Sequence, residues 1–91
     1  MTTIALTKGH EALISEARNL PDGWRGEILF KCPIYGRDVS MKQIKHELRL
    51  RLDEILHHGR LIRTTTETFE VEHAKRPAIT IRCDVRKPYR G

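Results

Sequence analysis

The sequence predicts an α+β domain in the order α-β-α-β-β. The expected architecture is a small, mainly antiparallel three-stranded sheet, with a possible fourth strand at the N-terminus and two helices packed on one face. Three observations predict it. Residues 41–58 carry apolar side chains at helical spacing between a start and a stop signal. Residues 78–85 alternate apolar and polar. Each strand-like segment has one apolar face, which suits antiparallel pairing covered on one side. At 91 residues the chain is expected to form a single domain, 1–91, with a small core.

Residues 2–7 alternate briefly and could form a short edge strand or lead into the first helix. Residues 8–19 follow, with Leu13, Ile14, Ala17 and Leu20 on one helical face, Thr7 as a candidate cap and Pro21-Asp22-Gly23 as the stop. Residues 26–35 read as a strand with Ile28, Phe30, Cys32 and Ile34 inward. Pro33 has no N–H to give a ladder, so this strand should lie at an edge or end there.

The long helix has the clearest signals. Ser40 and Gln43 make an S-x-x-Q capping box, with Val39 and Ile44 at the staple positions. Met41, Ile44, Leu48, Leu52, Ile55 and Leu56 share one face, and Gly59 is the expected stop. In residues 61–73, Leu61, Phe69 and Val71 share a parity that Ile62 breaks, which predicts a bulge or register change near residues 64–67. In the last strand Ile79, Ile81, Cys83 and Val85 point inward. The opposite sheet face should be wet, bearing Glu27, Lys31, Thr66, Thr68, Glu70, Thr80 and Arg82.

Charge is the main functional signal. Lys and Arg outnumber Asp and Glu by 17 to 12. The excess is concentrated after residue 74, where Lys75, Arg76, Arg82, Arg86, Lys87 and Arg90 face a single acid, Asp84. A localised basic segment attracts phosphate-rich partners by releasing counterions; a basic surface also serves solubility. Lys42, Lys45 and Arg49 form a second stripe on one flank of the long helix, where Asp53 could bridge to Arg49. The tail, residues 86–91, is basic and extended by Pro88. Its one aromatic, Tyr89, suits stacking on an unpaired base, which favours RNA over DNA. The predicted partner-binding residues are thus Lys42, Lys45, Arg49, Lys75, Arg76, Arg86, Lys87, Tyr89 and Arg90.

Other chemistries lack their signatures. The five histidines and two cysteines show no metal-ligand spacing, so no metal is expected. Asp53–His57 and Glu54–His58 are i, i+4 pairs that could orient an imidazole, but they are equally ordinary helix-surface pairs. No nucleophile elbow or Gly-rich phosphate loop accompanies them, so neither catalysis nor a cofactor is expected. Cys32 and Cys83 have inward parity and read as small buried hydrophobes. With no signal-peptide pattern and no apolar run able to span a bilayer, the expected location is the cytoplasm, away from membranes.

In general character the chain resembles small phage-encoded accessory and inhibitor proteins, including those of the anti-CRISPR type. The likeness lies in a compact α/β chain, a long helix opened by S-x-x-Q at 40–43, an Arg-rich C-terminus from Lys75 and no catalytic motif. It implies stoichiometric blocking of a host nucleoprotein machine and assigns no role to any single residue. The alternative is a protein-interaction module that meets an acidic protein surface without touching nucleic acid.

Overall fold

The computed structural model describes residues 2–6, 10–33, 40–73, 75 and 77–90. Its elements run β1 (Thr2–Leu6), α1 (His10–Arg18), β2 (Arg25–Pro33), α2 (Met41–Gly59), β3 (Ile62–Arg63), β4 (Thr68–Glu72) and β5 (Ala78–Arg86). The fold is α+β as expected. The candidate cap Thr7, the staple residue Val39 and the inward Ile34 lie outside the described residues.

All five strands share one sheet. β5 pairs antiparallel with β2 on one side and with β3 and β4 on the other, and β1 pairs parallel with β2. The N-terminal segment therefore adds a strand, and β1-α1-β2 forms a parallel crossover unit. Of the two arrangements that Pro33 allows, the strand end is the one adopted. β2 ends at Pro33, but it lies between β1 and β5 rather than at an edge. Pairing with β1 stops at Phe30, so Pro33 lies beyond that ladder.

The irregularity expected near residues 64–67 separates β3 from β4. Arg63 faces Val85 and Thr68 faces Arg82, so residues 64–67 stand opposite only 83–84. The surplus is even, so parity is preserved: Ile62 stays exposed while Phe69 and Val71 turn toward the core. Within the bulge the Thr65 hydroxyl accepts the Asp84 N–H at 2.9 Å, and the Thr64 N–H donates to the Asp84 carbonyl at 2.9 Å.

One core lies between the sheet and both helices. Leu13 and Ala17 come from α1; Ile44, Leu48, Leu52, Ile55 and Leu56 from α2; Ile28, Phe30 and Cys32 from β2; and Ile79, Ile81, Cys83 and Val85 from β5. The periodicities of 3.6 and 2 that mark these residues in sequence are what place them together. Cys32 and Cys83 are both buried. They face Ile79 and Ile28 respectively, four residues apart along the ladder, too far for a disulfide.

The opposite face is drier than expected. Thr80 is buried because Lys31 of β2 and Glu72 of β4 join at 3.2 Å across β5, over the row formed by Ala78 and Thr80.

The two ends of α2 are closed in different ways. Ser40 caps α2 as predicted, its Oγ accepting the Gln43 N–H at 3.2 Å. Gly59, however, is still helical, and the left-handed residue that stops the helix is Arg60, with φ 59°. The Arg60 N–H donates to the His57 carbonyl and the Leu61 N–H to the Leu56 carbonyl, a Schellman closure with an arginine where glycine is usual.

Candidate nucleic-acid interface

The structure divides the predicted basic residues into two groups. Lys45 and Arg49 lie against β4, their charged groups 5.4 Å and 4.9 Å from the centre of the Phe69 ring. Lys75 stands exposed between β4 and β5. Arg86, Lys87, Tyr89 and Arg90 lie at the other end of β5. Phe69 faces Ile81, five residues before Arg86, so the two groups are separated by about 17 Å along the strand. They do not form one surface. Arg76 lies outside the described residues.

Much of the helix stripe is engaged within the protein. Arg49 Nε donates to Glu67 Oε1 at 2.9 Å, and Arg63 Nη1 holds Glu67 Oε2. Arg63 Nη2 reaches Asp53 Oδ1 at 2.6 Å. Asp53 thus bridges to Arg63 instead of Arg49, and the four residues tie α2 to the β3–β4 bulge. Lys42 is the stripe residue that stays exposed without an ion pair among the described residues.

Glu67 is the hub of this network. Its own backbone N–H, then Arg49 and Arg63, hold its carboxyl below the ordinary 4.5, against an opposing effect of burial. A carboxyl depressed in the folded state contributes stability above its unfolded pKa and loses that contribution as pH falls through the folded value. Glu67→Gln should therefore cost about 1–2 kcal/mol at neutral pH, because both arginines are partly solvated. The cost should shrink as the medium is acidified below pH 4.5. Denaturant titrations of both proteins at several pH values check this; equal acid slopes would remove Glu67 from that role.

Lys87 departs from its expected place on the binding surface. It is buried, and its Nζ donates to the Ala17 carbonyl at 2.8 Å and the Arg18 carbonyl at 2.9 Å. A side chain so enclosed closes the end of α1 and is not presented to a phosphate. Arg18 does the same for α2, its Nε donating to the His58 carbonyl at 3.0 Å. The two helices bring their C-terminal ends together, each with partial negative charge, and these cations compensate it.

The backbone of the tail is docked as well. The Gly23 N–H donates to the Lys87 carbonyl and the Lys87 N–H to the Trp24 carbonyl, both at 2.7 Å, continuing the β2–β5 ladder. The Tyr89 ring lies over Gly23, where φ is 85° and a Cβ would meet the phenol oxygen at 2.4 Å. Tyr89 is nevertheless 78% exposed. The same end of the sheet carries exposed arginines with no ion pair among the described residues: Arg86 and Arg90, and two that sequence reasoning missed, Arg25 and Arg60. Arg25 faces Arg86 directly across the ladder, and Arg60 is turned outward at the Schellman closure. The missing signal for Arg25 was strand register; its partner 61 positions away cannot be read from local pattern.

Comparison of the chain with protein-family models, curated proteins and solved structures finds no match. The functional reading therefore rests on this chain's own geometry.

The remaining constellations are less organised. His57 and His58 are exposed, their rings edge to face at 5.1 Å. Among the described residues no three His, Cys, Asp or Glu side chains converge as a metal set. Burial pushes the Cys83 thiol up to about 11, so it offers no thiolate near neutral pH. An open groove of about 530 Å³ runs between α1 and α2 past Glu11, Ile14, Arg18, Glu54 and His58, with Arg18 already committed to its helix end. No helix of the described residues is long and apolar enough to cross a membrane.

Proposed function

We propose that this chain is a non-enzymatic binding protein that engages nucleic acid or a ribonucleoprotein complex through a basic surface. In the manner of small phage-encoded inhibitors of the anti-CRISPR type, it would act by occupying a surface of a host nucleoprotein machine. One observation carries this reading: Arg25, Arg60, Arg86 and Arg90, exposed and free of ion pairs among the described residues, lie at the end of the sheet that also carries the exposed Tyr89. Guanidinium groups left without carboxylates are suited to phosphate, and a solvent-facing aromatic is suited to an unpaired base. RNA is preferred over DNA as the partner on that account. Lys42, Lys45 and Lys75 at the far end would add long-range attraction. Two buried thiols too far apart to bridge each other fit the reducing cytoplasm, where such a partner is met.

A second reading has its own observation. Among the described residues β3 and β4 pair only with β5, which leaves their outer edge open to a partner strand or an acidic protein surface. Affinity capture from host lysate, with and without nuclease, separates the two. The nucleic-acid reading expects captured material to be lost on nuclease treatment and to fall steeply between about 50 and 200 mM salt. Nuclease-resistant capture would transfer the function to the sheet edge.

A further inference from the structure

Arg25 and Arg86 are directly opposed in the antiparallel ladder, an arrangement that places two like charges side by side. Such a pair costs stability unless something anionic lies between them. Both side chains are exposed, and neither has an ion pair among the described residues. Beside them is a small cleft of about 190 Å³, lined by Arg25, Gly26, Thr64, Asp84, Val85 and Arg86. Ile62, 43% exposed, flanks Arg86 from β3 and extends the same cross-strand row.

Resting on the nucleic-acid reading above, we infer that Arg25 and Arg86 form a clamp for one backbone phosphate of a single-stranded nucleic acid, with a neighbouring base stacked on Tyr89. Two adjacent guanidiniums can each donate to a separate phosphate oxygen, which converts their mutual repulsion into shared attraction. The Thr64 residue in the cleft wall carries a hydroxyl of the same use. Asp84 in the cleft wall, and Glu27 opposite it in the ladder, offset part of the positive charge of the two guanidiniums, so the attraction is local to the clamp. Tyr89 is at the same end, its ring on Gly23, two residues before Arg25. An extended strand leaving the clamp has that ring within reach, and base–aromatic stacking tolerates any sequence.

The test uses the full chain and a short fluorescein-labelled oligouridylate, read by fluorescence anisotropy. Arg25→Gln with Arg86→Gln should weaken binding at least about tenfold and flatten the salt dependence by about 0.7 in the log–log slope, the share of one single-strand phosphate. Tyr89→Ala should weaken it by about 5- to 150-fold with the slope unchanged. Lys42→Gln with Lys75→Gln, the same loss of two charges at the far end, should weaken binding less than the clamp variant because it removes long-range attraction alone. Melting curves check folding, and Arg86→Gln should melt no lower than the parent, because it removes a like-charge pair. If the parent binds but only the Lys42 and Lys75 changes weaken it, the clamp is wrong and the broader reading stands. If the parent binds no oligonucleotide at low salt, the broader reading fails and the clamp with it.

Discussion

Replacing Lys87 by Met should lower stability by about 2–4 kcal/mol, a fall in melting temperature of roughly 10–25 °C for a domain of this size. Methionine keeps most of the volume and the apolar stem, so the loss reports on the Nζ. That atom satisfies the carbonyls of Ala17 and Arg18 at the end of α1. It does so where α2 also ends, because Arg18 itself reaches the His58 carbonyl. Removing the lysine leaves buried acceptors unpaired and two like helix ends uncompensated. Lys87→Arg should be an incomplete rescue, since a planar guanidinium needs room that a buried ammonium does not. The same variant separates structure from binding. If Lys87 contacted phosphate, Lys87→Met would flatten the salt dependence of nucleic-acid binding at temperatures where the fold persists. As an internal anchor it should leave that slope unchanged while the melting temperature falls. A variant that melts with the parent would contradict the anchoring role.

Lys87 also illustrates what the sequence can and cannot disclose. The helices, the β5 alternation and the bulge after Arg63 were legible because each is written in local periodicity. The Ser40 cap was legible for the same reason. What depends on which segments meet was not. Lys87 and Ala17 are 70 positions apart, and nothing local distinguishes a basic side chain aimed at solvent from one closing a distant helix. Counting charge along the chain therefore placed Lys87 with Arg86 and Arg90, although its neighbours are exposed and it is buried. The surroundings of the helix stripe are non-local in the same way. Lys45 and Arg49 do share a flank, but that flank faces Phe69 and Glu67 of the β3–β4 segment. Register is equally non-local: it pairs Arg25 with Arg86 and so assembles the end of the sheet that carries the functional proposal. Parallel pairing of β1 with β2 was hidden because five residues of weak alternation do not state a direction.

Gly59→Ala should destabilise the protein by about 1–3 kcal/mol, the reverse of what helix propensity predicts. Gly59 is helical, so alanine there would by itself gain up to about 1 kcal/mol. The obstacle is tertiary: a Cβ at Gly59 would stand 2.5 Å from the Cβ of Ala17, a contact that neither side chain can relieve by rotating. The helices would have to separate where Lys87 and Arg18 hold their ends together. Ala17→Gly in the same chain removes the obstructing methyl, so the double variant should recover part of the loss. The pair should thus show coupling of the kind expected for residues in contact. Arg60→Gly is the contrasting change. Arg60 holds a left-handed backbone that glycine adopts without a Cβ penalty, so that variant should gain up to about 1 kcal/mol. Together these two substitutions separate two roles: Gly59, which the sequence marks only as the stop, lets the helices touch, and Arg60 ends α2. Denaturant unfolding of the three single variants and the double variant measures the difference. A stabilised Gly59→Ala protein would show that the helix contact yields easily and that the glycine is there for some other reason.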